Sequence, residues 1–146
     1  MFELFGEFNS ADELNLAAAG QLEQGEIESL KKLAEENGID PDMTDMYIQG
    51  IMPYLCDDMT AAIGKIEIEK KHYKNQFFEH MLDDLTGYIT SRCTEQEFAK
   101  AVRAKGKKLN DCLDNLQNEV KKILGGKNGG VANHTVFKII SNYYLE

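Results

Sequence analysis

His72, His80 and His134 are the only histidines of the 146-residue chain, and none stands four residues from another His or from a Cys. A zinc site needs convergent ligands, and this spacing predicts none. The carboxylate pairs Asp57-Asp58 and Asp83-Asp84 would point in different directions on a helix, so neither forms a ligand set. Cys56, Cys93 and Cys112 are odd in number, widely spaced and without a Cys-x-x-Cys pair. They read as reduced thiols behaving as small buried hydrophobes. There is no Gly-x-Ser-x-Gly elbow, and no cysteine carries a nucleophile's signature. An enzyme would have to use His80 or His134 with a neighbouring carboxylate. The expectation is a protein that is not an enzyme and holds neither metal nor cofactor.

Two further clusters could bind anions. Gly125-Gly126-Lys127-Asn128-Gly129-Gly130 lacks the spacing of a phosphate loop and lies between helices, so it reads as a mobile connection. Lys100, Arg103, Lys105, Lys107 and Lys108 crowd the start of a helical segment, where free amides and ammonium groups together would make an anion site. Lys105, Lys107 and Lys108 are its candidate residues. Pairing of these lysines with the acidic first third of the same chain, or their simple solvation, is the alternative.

Charge is the strongest signal. Residues 1–60 hold 14 Asp/Glu and 2 Lys/Arg, whereas residues 61–146 hold 11 Asp/Glu and 14 Lys/Arg. An acidic region 1–60 thus precedes a neutral-to-basic region 61–146. Such a lopsided field bears on association partners. A net charge of −9 disfavours direct binding to a phosphate backbone. Carboxylates strung along two or three helices could instead imitate a phosphate track and occupy a cationic groove.

The elements that must position these groups are helical almost throughout. Ser10-Ala11-Asp12-Glu13 is a capping box opening an Ala-rich helix that falters near Gly20 or Gly25. Ile27, Leu30, Leu33 and Ala34 share a face of the next helix, with Gly38 as its stop. Asp40-Pro41 caps a third, which Pro53 interrupts or kinks. Leu55, Met59, Ala62, Ile63 and Ile66 form a stripe between Pro53 and Tyr73 that could pair with its own copy, leaving a homodimer open. Phe78, Met81, Leu82, Leu85, Tyr88 and Ile89 make another stripe, and Thr94 to Glu97 reads as a second capping box. Leu109, Cys112, Leu113, Leu116, Val120 and Ile123 line a helix closed by Gly125. Val136, Phe137, Ile140, Tyr143 and Tyr144 line the last, with Asn133 as cap. Only 2 Pro and few β-branched alternations argue against strands. The expected fold is all-α, a single compact helical bundle of about six to eight helices spanning 1–146.

Composition agrees: 42% hydrophobic and 28% charged residues are globular proportions, and no apolar run approaches the length needed to cross a bilayer. The opening residues carry no basic segment followed by a long apolar stretch, so a cytoplasmic location is expected.

Lys105-Gly106-Lys107-Lys108-Leu109-Asn110-Asp111-Cys112-Leu113, followed by Asn142-Tyr143-Tyr144-Leu145-Glu146, resembles the PcfK-like proteins encoded on conjugative and other mobile elements of gut bacteria. Phe5-Gly6-Glu7-Phe8-Asn9-Ser10-Ala11-Asp12-Glu13-Leu14 and Leu33 to Pro41 look like a Firmicutes branch of that group. The branch is similar to a family of type II-A anti-CRISPR proteins. Asn142 departs from the pattern, standing where the family often has His. The resemblance implies an inhibitor that binds a bacterial type II CRISPR effector nuclease, without chemistry of its own. Under that expectation Glu13, Glu23, Glu26, Glu28, Glu35, Glu36, Asp40, Asp42 and Asp45 carry the interaction. Phe2, Phe5, Phe8 and Tyr47 are its apolar anchor candidates, because aromatic anchors supply energy where charge sets rate and orientation. An accessory protein of conjugation or plasmid maintenance, with the basic cluster engaging DNA or an acidic partner, is the alternative.

Overall fold

Ser10 turns the aromatic lead-in into a helix. Its Oγ accepts from the Glu13 amide at 3.1 Å, and Glu13 Oε2 accepts from the Asn9 amide at 2.7 Å, so reciprocal capping satisfies two donors at this end. The computed structural model describes residues 1–146, with eight α-helices and no strand. The helices are α1 (Ala11–Glu23), α2 (Ile27–Glu36), α3 (Pro41–Ile48), α4 (Asp58–Lys71), α5 (Leu82–Arg92), α6 (Gln96–Arg103), α7 (Leu109–Leu124) and α8 (Asn133–Leu145). The all-α bundle expected from the patterning is therefore the observed fold. No helix is long and apolar enough to cross a membrane.

Two hydrophobic cores meet along α4. The first gathers 11 buried residues, including Leu14, Leu30, Leu33, Ile39, Tyr47 and Leu55, from α1 to α3, the following loop and the start of α4. The second gathers 16, including Ile66, Leu85, Ile89, Phe98, Leu113, Leu116 and Ile140, from α4 to α8. Ala61 belongs to the first core and its neighbour Ala62 to the second. Because α4 is covered on two sides, Gly64, Lys65, Ile66 and Glu69 are all buried along with both alanines.

The helix boundaries differ from the expected ones in four places. α3 ends at Ile48, Gly50 takes a left-handed φ of +80°, and Pro53 lies in the loop, so it kinks no helix. α6 starts at Gln96 with Glu95 as its unbonded cap. The expected capping box fails because the cap falls on Glu95, one residue beyond Thr94, whose Oγ1 instead donates to Ser91 O. Ala132, not Asn133, caps α8. The stripe from Phe77 begins as a 3-10 segment, Gln76–Met81, leaving Phe77 and Met81 exposed while Phe78 is buried. Ile123 likewise emerges into solvent at the end of α7.

Candidate functional site

Two polar constellations stand out, one buried and one open. The buried one lies where the cores join. Lys65 is 0% exposed, Arg103 1% and Glu69 5%. Burying a charge is costly unless it is paired and hydrogen-bonded. Lys65 Nζ donates to Lys107 O at 2.6 Å and Ala104 O at 3.0 Å, and forms an ion pair with Glu7 Oε1 at 3.2 Å. The ammonium thus organises the α6–α7 turn by gathering its carbonyls. Arg103 Nη2 donates to Asn37 Oδ1 at 2.7 Å and Nε to Phe8 O at 3.3 Å, with the ring of Phe2 at 5.5 Å. One guanidinium therefore ties α6 to the lead-in and to the end of α2. Burial lowers the pKa of Lys65, while the carboxylates of Glu69 and Glu7 act the other way. Burial also lowers that of Arg103 and raises that of Glu69.

Glu69 answers the anion-site expectation. Its Oε2 accepts from the Leu109 amide at 2.9 Å, so a carboxylate of the same chain already occupies the start of α7. Lys107 Nζ donates to Tyr143 O at 2.7 Å and lies over that ring, and the Lys108 amide donates to the Tyr143 hydroxyl. Lys105 and Lys108 keep exposed side chains, but the three lysines do not surround a free helix end. The expected anion site is corrected on this ground: its anion is internal. Lys65, Glu69 and Glu7 escaped sequence reasoning because their partners lie 38 to 58 residues away. The readable signal was a Lys and a Glu at i, i+4 beside the apolar stripe of α4.

The open constellation is a cleft of about 640 Å³ between α2, the start of α3 and the outer side of α4. Glu35, Asp40, Asp45 and Glu67 line it with Lys31, Lys71 and Thr44. Asp40 also caps α3 by accepting from the Asp42 amide at 2.7 Å, which fixes its position at the rim. Of the nine expected acidic contacts, the cleft brings together Glu35, Asp40 and Asp45, with Asp42 exposed on the first turn of α3. Glu23, Glu26 and Glu28 stand exposed around the α1–α2 corner, Glu28 pairing with Lys31 at 3.9 Å. Glu13 is occupied as a cap, and Glu36 accepts the backbone amides of Leu4 and Phe5.

The aromatic anchors need correcting. Tyr47 is buried in the first core, Phe5 and Phe8 pack against it, and Phe2 is half-buried beside Arg103. These rings hold the lead-in to the fold. The large apolar side chains that reach solvent on this half are Leu4, Leu16, Ile51 and Tyr54 with Met1, Met46 and Met59.

All three cysteines are buried and free. Burial pushes the thiols of Cys56 and Cys112 up to about 12 and that of Cys93 up to about 11. They are protonated and shielded, the opposite of an activated nucleophile. His72, His80 and His134 are exposed, with His72 Nδ1 2.9 Å from Ile68 O. No three His, Cys, Asp or Glu side chains are grouped to hold a metal ion. No model of a known protein family matches the chain, and neither does any curated protein or solved structure.

Proposed function

We propose that the chain is a non-catalytic binding protein whose acidic half grips a cationic surface, and that this surface belongs to a type II RNA-guided DNA nuclease, which it inhibits. One observation carries the reading. Among the carboxylates of residues 1–60, only Glu7 forms an ion pair with a lysine of the other half. The negative surplus is therefore not cancelled within the molecule and remains available to an outside cation. Glu35, Asp40, Asp45 and Glu67 outnumber Lys31 and Lys71 in the cleft, which suits Lys or Arg side chains of a partner. An RNA-guided nuclease reads its adjacent motif with arginines and holds its heteroduplex in a positive channel. Both are complementary to such a surface, and complementary charge raises association rate and fixes orientation. The choice of nuclease rests on the sequence resemblance alone. An accessory role in conjugation through the basic cluster has less support, because Lys107 and the start of α7 are engaged internally.

The test is co-elution with type II effectors, guide-loaded and free, together with plasmid cleavage. The triple variant Glu35→Lys, Asp45→Lys, Glu67→Lys reverses the cleft while sparing the cap at Asp40. It should weaken inhibition about tenfold or more, since like-charge juxtaposition costs several kcal/mol. Failure of the wild-type chain to co-elute with any member of the panel would overturn the nuclease assignment.

A further inference from the structure

The outer face of α1 is unpartnered and apolar at its centre. Asp12, Asn15, Leu16 and Ala19 recur at helical spacing, and with Tyr47, Pro53 and Tyr54 they line a groove of about 410 Å³. Its position is fixed. Asn15 Nδ2 donates to Cys56 O at 2.8 Å and the Cys56 amide donates to Asn15 Oδ1 at 3.0 Å, which locks the loop bearing Pro53 and Tyr54 alongside the helix. Leu16 is 74% exposed and Tyr54 45%, while Tyr47 forms the floor from the core side. Scattered exposed leucines are ordinary, but a leucine and a tyrosine flanking a built groove are what an interface presents to a partner.

Charge identifies the occupant. Asp12 lies in the groove, Glu23 follows Ala19 by one turn on α1, and Asp57 and Asp58 follow the loop. The two cations of residues 1–60, Lys31 and Lys32, are both on α2. A second copy would bring its own acidic half and a net charge of −9 against this rim. We propose that this groove takes a segment of the partner that presents an apolar side chain flanked by Lys or Arg. The anchor seats between Leu16 and Tyr54 while the flanking cations face Asp12 and Glu23. The proposal rests on the reading that the acidic half grips a cationic protein, and adds where the apolar contact is made.

The probe is a fluorescein-labelled amphipathic peptide with a Leu/Phe stripe flanked by Lys and Arg. Two matched peptides carry Ser for the stripe or Glu for the cations. Anisotropy should report binding of the first peptide only, and amide shifts should cluster in α1 and residues 51–56. The variants Leu16→Asp and Tyr54→Ser, both surface changes, should each weaken it about tenfold, the size of an interface hot spot. Equal binding by Leu16→Asp, shifts confined to other helices, or no binding of the first peptide would overturn the proposal. So would a wild-type dimer in sedimentation that Leu16→Asp dissolves, since the face would then belong to a second copy. The nuclease assay separates the two claims. If nuclease is inhibited equally by wild type and both variants, the groove is wrong and the inhibitor reading stands. If the peptide binds α1 but no nuclease co-elutes, the reverse holds.

Discussion

Glu69 is held between two opposed demands. The Leu109 amide and the ammonium of Lys65 favour its charged form, while burial favours the neutral one, and burial is the larger effect because the pKa is raised. Its Oε1 is buried without a hydrogen-bond partner, which accounts for the cost of ionisation. The sign of the pH dependence follows. A carboxyl whose folded pKa exceeds its unfolded value binds protons more tightly in the native state, so stability falls as pH rises from the ordinary glutamate range through the raised value. Glu69→Gln retains an acceptor for Leu109 and cannot titrate. The stability difference, variant minus wild type, should therefore be flat below this window, rise across it and be flat above. Urea unfolding at closely spaced pH values measures it; a difference that falls with pH would contradict the assignment. The same environment explains why this residue was illegible in the sequence. Its amide partner is 40 residues away, and no local pattern distinguishes a buried Glu from a solvated one.

Among the elements, α4 carries the architecture. A helix covered on two sides loses the single apolar stripe that makes an amphipathic helix readable, and α4 buries Ala61, Ala62, Gly64, Lys65, Ile66 and Glu69 around much of its circumference. Ser10 and Asp40, by contrast, were legible as caps because capping is a local exchange of hydrogen bonds within a few residues. The stripes of α2, α7 and α8 were legible because each helix packs mainly on one side. Thr94 failed because the chain enters the helix one residue later, at Glu95, which leaves Thr94 outside the cap with its hydroxyl donating to the Ser91 carbonyl. Gly64 shows what the stripe of α4 concealed. A Cβ there would meet Asn37 O at 2.4 Å and Gly38 O at 3.0 Å, so the backbone of the α2–α3 turn rests directly on the helix. Gly38 itself needs a φ of +72°, which fixes the turn that makes this approach. Gly64→Ala should cost about 3 kcal/mol or more, because backbone atoms cannot step aside as a flexible side chain can. Gly87→Ala on α5, where a Cβ would meet nothing within 4 Å, should stabilise by up to about 1 kcal/mol. Thermal unfolding of both variants tests the contrast, and a Gly64→Ala protein as stable as wild type would remove the crossing from the account.

At the scale of the molecule, two cores of unequal size are joined by polar groups as well as by α4. The core built around the acidic half has 11 buried residues, Ala61 of α4 among them, and the other core 16, so the smaller core has less apolar burial of its own to hold it together. Arg103 supplies part of the connection, reaching from α6 to Phe8 O, Asn37 Oδ1 and the ring of Phe2. Lys65 supplies another part through Glu7. The cluster is balanced, with Lys65 and Arg103 against Glu7 and Glu69, so removing one cation leaves an uncompensated negative charge beside acceptors that have lost their donor. Breaking one partner of such a cluster costs about 3–5 kcal/mol. Arg103→Met keeps an unbranched apolar side chain on α6 and removes only the polar reach across the junction. Because the bonds to Phe8 O and Asn37 Oδ1 run to the acidic half, and the third, to Ala61 O at 3.5 Å, reaches the part of α4 that belongs to the same core, the destabilisation should be uneven. Native-state hydrogen exchange should quicken in α1 to α3 by most of the lost free energy, while α7 and α8 retain more protection. Equal acceleration in every helix would instead mean that the two cores open only together. Uneven acceleration would identify Arg103 as the tie that holds the acidic surface in the shape its partner meets.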